Sequence, residues 1–208
     1  MLELKSVGKT YKKQIVLSNI NARFATGVTV ITGKSGVGKT TLLRLCASAE
    51  KPTDGDILWH GNSILKNPKP FRKHLGYAPQ KIDFPPDITA MDFMVYIGAL
   101  KGLSQAHTKE QGLVLFQRLG LAEDADKLIH MYSGGMRRRL GLAQACLGAP
   151  KCLILDEPTA ELDHETAKSV YDLVFETAKS AVVLMTTHLP ESLSDFEHQK
   201  FELKGAKP

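Results

Sequence analysis

Eight residues constrain this chain more than any others. Gly33-Lys34-Ser35-Gly36-Val37-Gly38-Lys39-Thr40 fits the pattern G-x-x-x-x-G-K-[ST]. The run follows a compact apolar stretch, Gly27 to Thr32, that reads as a strand. It precedes a segment from Thr41 to Ala47 that reads as a helix. Strand, glycine-rich loop and helix in that order form a phosphate cradle. The glycines let the backbone turn several N–H groups toward phosphate oxygens, at the positive end of the helix that follows. Lys39 is placed to reach β- and γ-phosphates, and the Thr40 hydroxyl to meet Mg²⁺. Thr41, the next residue, completes the candidate nucleotide contacts.

The rest of the chain gives that loop an α/β setting. Period-two patterns in the first 25 residues (Leu2 and Leu4; Ile20, Ala22 and Phe24) predict half-buried antiparallel strands. Asp54 to Asn62 reads as one arm of a hairpin. A proline-rich stretch from Pro68 to Pro86 holds a short strand at Leu75–Ala78. From Thr89 to Gly148 the spacing turns helical, as in Leu113, Leu115, Phe116 and Leu119. After Lys151 the alternation of strand and helix returns, with Cys152 to Leu155, Glu165 to Lys179 and Val182 to Met185. The expected organisation is a single domain, with residues 1–83 and 149–208 as the α/β core and 84–148 as a helical insertion.

A second acidic strand end supports the phosphate reading. The apolar run from Cys152 to Leu155 ends at Asp156-Glu157-Pro158. Beside a phosphate loop, Asp156 suits a Mg²⁺ ligand and Glu157 a group that polarises an attacking water. Without the phosphate loop, the same residues would be a strand closing in a polar turn.

Other features exclude alternatives. No apolar stretch approaches the ~18–20 residues that span a bilayer. The best, Ile88 to Leu100, is short and carries Asp92. The opening Met1 to Lys5 lacks signal-peptide architecture, so secretion is not expected. Cys46, Cys146 and Cys152 are odd in number and not spaced as ligands, and they read as buried small residues in a reducing compartment. The net charge of +5 permits an acidic partner without requiring one. Arg137-Arg138-Arg139 reads as a solvated helix face, and with no aromatic residue beside it nucleic acid is not expected as a partner.

Tyr132-Ser133-Gly134-Gly135-Met136 completes a pattern. With the phosphate loop and Asp156-Glu157-Pro158, it closely resembles the nucleotide-binding subunit of bacterial-type ABC transporters, over nearly the whole chain. Single residues match in the family's order: Tyr11 resembles its adenine-stacking aromatic, Gln80 its link between Mg²⁺, water and the helical insertion, and His188 its γ-phosphate contact. The Thr159–Asp163 loop also matches. The resemblance implies an α/β phosphate-loop ATPase core with an antiparallel β subdomain and a helical insertion. It implies ATP and Mg²⁺ as cofactors, with Lys39, Gln80, Glu157 and His188 in catalysis and Thr40, Gln80 and Asp156 at the metal. It also implies a head-to-tail homodimer in which Ser133, Gly134 and Gly135 of one subunit meet the other's ATP.

The same resemblance implies a separate integral membrane permease. The chain would then lie in the cytoplasm, peripheral to the inner face of the cell membrane. The Tyr132 and Met136 style of signature points to export. A soluble ABC-type ATPase acting on DNA or ribosomes is the alternative, but it would carry a long coiled-coil insertion or two fused domains. A phosphate-loop kinase would need an acceptor site and a lid in place of Ser133–Gly135 and Asp156-Glu157. Four positions depart from the family's common pattern: Tyr132 stands in place of leucine, Met136 in place of glutamine, Glu161 where glycine is usual, and His164 where proline often follows. Glu161 brings a β-carbon and a negative charge to the expected dimer seam.

Overall fold

The computed structural model describes residues 1–187, 193–194 and 196–205. Two sheets carry the fold. The first is antiparallel and begins with β1 (Leu2–Tyr11) and β2 (Gln14–Phe24), as the period-two pattern predicts. β4 (Asp54–Trp59) pairs with the other side of β1, and the short β5 (Asn62–Ser63) completes the hairpin, giving the order β2-β1-β4-β5.

The second sheet is parallel. Its strands are β3 (Gly27–Thr32), β6 (Leu75–Ala78), β7 (Cys152–Asp156), β8 (Val182–Thr186) and β9 (Gln199–Glu202), in the order β6-β7-β8-β3-β9. β7 and β8 are buried along their full lengths, which explains why they read as unbroken apolar runs. A parallel sheet has all its carboxyl ends on one edge, where open α/β sheets bind ligands. The loop after β3, Gln80 after β6, Asp156 and Glu157 at the end of β7, and Thr186 at the end of β8 therefore share that edge.

Helices cover both faces. α1 (Lys39–Cys46) packs against β7 and β8. Its Leu42, Leu43, Leu45 and Cys46 join a core cluster with Ile154, Leu184 and residues of the antiparallel sheet. α6 (His164–Ala178) packs against β3 and β8. The helical region holds α3 (Ala90–Lys101), α4 (Gln105–Arg118) and α5 (Gly134–Cys146). Thr89 and Ser104 cap α3 and α4 by accepting N–H bonds from Asp92 and His107. α5 runs back along the parallel sheet. A β-carbon on Gly76 of β6 would overlap Ala145 O, so only glycine allows this approach. The helical region and that face of the sheet consequently share one apolar cluster.

One element escapes the sequence reading. Pro68–Lys73, at the start of the proline-rich stretch, forms a short helix, α2. Pro68 opens the helix, a position that needs no N–H and suits the fixed φ of proline. All three cysteines are buried, as expected. Among the described residues no helix is long and apolar enough to cross a membrane.

Candidate active site

The phosphate loop leaves β3 through Gly33 at φ 143° and enters α1 through Gly38 at φ 106°, both in the left-handed region. Space is as restrictive as torsion there. A β-carbon on Gly33 would come within 2.6 Å of Leu203 O, and one on Gly38 within 2.9 Å of Val16 Cγ1. Lys34, Ser35 and Gly36 are exposed, while Val37, Thr40 and Thr41 are half-buried. Lys39 Nζ curls back to donate to Gly33 O at 2.9 Å and Lys34 O at 3.1 Å. Its ammonium group thus stays inside the loop that the sequence assigns to phosphate.

At the neighbouring strand ends, a single threonine hydroxyl organises two acids. Asp156 pairs in register with Thr186 and is only 2% exposed. Thr186 Oγ1 donates to Asp156 Oδ1 at 2.7 Å and accepts the Glu157 N–H at 3.0 Å. Asp156 Oδ2 is buried with no hydrogen-bond partner. A buried carboxylate oxygen in that state fits a site for a cation or its bound water. The sequence-assigned donors Thr40, Gln80 and Asp156 are all oxygen donors, the set that Mg²⁺ prefers. Among the described residues no group of three His, Cys, Asp or Glu could hold a metal. An ion here would thus rely on nucleotide phosphates for part of its shell.

Glu157 sits at φ 54°, an uncommon angle for a residue with a β-carbon. Gln80 Nε2 donates to Glu157 Oε2 at 3.0 Å. Gln80, Asp156 and Glu157 line a cavity of about 320 Å³ with Arg138, Gly134 and Glu161. A larger cavity of about 580 Å³ lies between α4 and α6, away from these groups.

Ser133 caps α5, its Oγ accepting the Met136 N–H at 3.2 Å. Gly134 and Gly135 form the first turn, so the helix presents its positive end there. Tyr132 is buried beside them and donates its hydroxyl hydrogen to Asp124 O at 2.7 Å. Burial first, and then the charge of Asp124, push its pKa up to about 12. Asp163 caps α6, and the Thr166 N–H and hydroxyl hold its carboxyl below the usual range. Glu161 is also in the left-handed region, at φ 64°. Its Oε2 lies 3.7 Å from where a β-carbon on Gly134 would stand.

Tyr11 ends β1 and is 38% exposed. Its hydroxyl donates to Glu50 Oε2 at 2.7 Å, and Lys9 Nζ lies 4.9 Å from the ring centre. Burial, then the bond to Glu50, raise its pKa, so the ring stays neutral. His188 lies outside the described residues.

The arginine run is only in part the solvated face that the sequence suggests: Arg137 is exposed, while Arg138 and Arg139 are half-buried. Arg137 donates to His130 O, Arg138 to Glu157 O, and Arg139 to Leu119 O and Gly120 O. Each guanidinium reaches a main-chain carbonyl, because an arginine can lie along a helix and still deliver its charge to a loop. Thr186 and Arg138 are the site residues that sequence reasoning missed. For Thr186 a signal existed, since alignment of the β7 and β8 ends sets it opposite Asp156.

Residues 17–160 match the model of the ABC transporter family. The chain is 38% identical over 190 residues to the ABC transporter ATP-binding protein YxlF of Bacillus subtilis, covering 91% of this chain and 63% of the relative. It is 32% identical to the Nod factor export ATP-binding protein I of Cupriavidus metallidurans, over 92% of this chain and 64% of the relative. To the daunorubicin/doxorubicin resistance ATP-binding protein DrrA of Streptomyces peucetius it is 30% identical, over 92% and 59%. The chain therefore spans somewhat less than two thirds of these curated relatives. A dimeric post-hydrolysis structure of the ATP-binding cassette MJ0796, bound to ADP and Pi, shares the fold at a TM-score of 0.88. The identity is 24%, with 98% of this chain and 94% of that one covered.

Proposed function

The chain belongs to the ABC transporter family, and we propose from its site that it binds and hydrolyses ATP to drive a separate membrane permease. The observation that carries this reading is the common carboxyl edge of the parallel sheet. There a phosphate loop lies beside a buried, half-bonded aspartate and a glutamate held by glutamine. Phosphoryl transfer to water needs positioning and charge neutralisation, and these groups supply both.

In this reading Lys39 leaves the carbonyls of Gly33 and Lys34 for the β- and γ-phosphates. Asp156, Thr40 and Gln80 would hold Mg²⁺, which would supply neutralising charge to the phosphates. Glu157 orients the attacking water and takes its proton, and Gln80 fixes the carboxylate through its amide hydrogen. His188 contacts the γ-phosphate, and Tyr11 stacks on the adenine. The N-terminus of α5, with Ser133, Gly134 and Gly135, caps the γ-phosphate of a second, head-to-tail copy. That the MJ0796 cassette, of the same fold, is dimeric supports the pairing of two copies.

ATP then favours a closed dimer to the extent that it binds that state more tightly than the open one. The helical region, residues 84–148, passes the change to the permease, with Gln80 at its root. The receiving surface lies near residues 85–102. There Tyr96 and Leu100 stand exposed on α3, while Met91, Phe93 and Met94 are core. The chain works at the inner face of the membrane, and the Nod factor export relative supports the outward direction.

Glu157→Gln tests the assignment. It keeps the shape of the side chain but removes its basicity and its repulsion of the γ-phosphate. Hydrolysis should nearly vanish, and light scattering should show an ATP-dependent shift from monomer to dimer. A variant that hydrolyses ATP at the parental rate removes Glu157 from catalysis.

A further inference from the structure

We propose that Arg138 is a positioning residue for hydrolysis, and that through it the helix carrying the Ser133–Gly135 cap sets the aim of Glu157. The inference rests on the reading of the chain as a dimerising ATPase.

Its basis is the way Glu157 is held. A residue with a β-carbon persists in the left-handed region only where its surroundings over-determine it. At Glu157 three bonds fix the backbone. The N–H goes to Thr186 Oγ1 at 3.0 Å, and the carbonyl accepts Arg138 NH1 at 2.9 Å and, within its own turn, the Ala160 N–H at 3.2 Å. With both peptide groups pinned, the direction of the Cα–Cβ bond is set, and Gln80 then holds the carboxylate. Thr186 belongs to the sheet, so it cannot report on the helical region. Arg138 comes from α5, five residues after Ser133.

The other two arginines of the run serve different ends. Arg137 and Arg139 bond carbonyls of His130, Leu119 and Gly120, all within the helical region. Arg138 alone among the three reaches across to the acidic strand end. It is half-buried and lines the same cavity as Gln80, Asp156 and Glu157. A guanidinium suits the task, since it is always charged and its planar fork loses little freedom when it bonds.

The consequence lies in the dimer. The N-terminus of α5 faces the partner's nucleotide, while Arg138 on the same helix holds the base that acts on this chain's own nucleotide. A shift of α5 on meeting the partner's γ-phosphate would move the Glu157 carbonyl, and with it the carboxylate. Each subunit thus connects the two nucleotide sites through one side chain.

The test compares kcat, KM and ATP affinity for the unmodified chain, Arg138→Met, Arg138→Lys, Glu157→Gln and the Arg138→Met/Glu157→Gln double variant. Loss of one charge-assisted bond that only aims the base should lower kcat roughly tenfold in Arg138→Met, with KM and ATP affinity changed by less than about twofold. Arg138→Lys keeps a cationic donor and should stay within about threefold of the parental rate. In the Glu157→Gln background, Arg138→Met should leave the residual rate unchanged, since the group it aims has already been disabled.

An unchanged kcat in Arg138→Met overturns the inference. So does an equal loss in both backgrounds, which would mark a purely structural role. Should Arg138→Met fail to fold, Arg138→Gln, which removes the charge and shortens the reach, decides: a loss confined to kcat supports the inference, and an unchanged kcat or an equal rise in KM overturns it. Absence of hydrolysis by the unmodified chain overturns this inference together with the functional reading beneath it. Hydrolysis by the parent with an unaffected Arg138→Met overturns this inference alone.

Discussion

Replacing Thr186 by valine isolates the hydroxyl that joins Asp156 to Glu157 while preserving shape and β-branching. Thr186 is 1% exposed, so water cannot take over its bonds without rearrangement. The variant loses a bond to a charged carboxylate at 2.7 Å and the acceptance of the Glu157 N–H at 3.0 Å. A bond to a charged group contributes about 1.5–3 kcal/mol and a neutral one about 1 kcal/mol. The added methyl returns about 0.8 kcal/mol of apolar burial. Asp156 Oδ2 has no protein partner already, so after the substitution neither oxygen of a buried carboxylate is bonded. The net loss should be about 3 kcal/mol, taking the upper part of the range for the charged bond.

Urea unfolding followed by circular dichroism measures that loss directly, since a stability change moves the midpoint and leaves the slope alone. In a chain of this size the melting temperature should fall by roughly 6–12 °C. Thr186→Ser keeps the hydroxyl and should cost only about 1 kcal/mol, for the lost methyl. ATP hydrolysis should fall in the valine variant and persist in the serine one. A valine variant destabilised by less than about 1 kcal/mol, the size of an unremarkable substitution, would refute the view that this hydroxyl supports a buried charge.

Lys39→Ala should abolish ATP binding in an equilibrium titration while leaving the fold intact, because its bonds reach only the loop's own carbonyls. Gln80→Ala should leave ATP affinity nearly intact and slow the turnover of bound ATP in a single-turnover assay. Lys101 is mostly buried against Leu147 O, and burial lowers its pKa to about 8 from an unfolded value of 10.5. The folded state thus loses the proton first, and stability should rise between pH 8 and 10.5, by about 3 kcal/mol at most. Lys101→Met should flatten that rise in pH-dependent unfolding. Glu161→Gly should change stability by less than about 1 kcal/mol, since relief of a left-handed residue and loss of a charge at a helix N-terminus oppose each other. In the Glu157→Gln background it should strengthen the ATP-dependent dimer seen by light scattering.

Much of the frame was legible because its signals are local. The period of two in β1 and β2, the apolar runs of β7 and β8, and the turn residues around β4 each follow from one stretch of chain. Legibility failed at Pro68–Lys73, where the sequence showed only a proline-rich stretch and the prolines open a helix. It failed also where one element leans on another far along the chain. Nothing near Gly76 says that Ala145 will press against it.

The site divides along a similar line. Lys39, Asp156 and Glu157 can be proposed from sequence because phosphate and water would dictate their chemistry, and few residue types satisfy it, whereas Gln80 stands out only through the family resemblance. Thr186 and Arg138 bond other protein groups, so their identity follows from distance and direction, which the fold alone supplies. Glu161 falls between the two. Its charge at a position where glycine is usual is plain in the sequence, but the way the fold accommodates it is not. At φ 64° the residue bears about 1–2 kcal/mol of strain. Its carboxylate lies beside Gly134, at the positive end of α5, where an anion gains about 0.3–1 kcal/mol. The end of the helix that would receive the partner's phosphate in the proposed dimer thus already faces an acid of its own chain, a charge with which ATP would have to compete there.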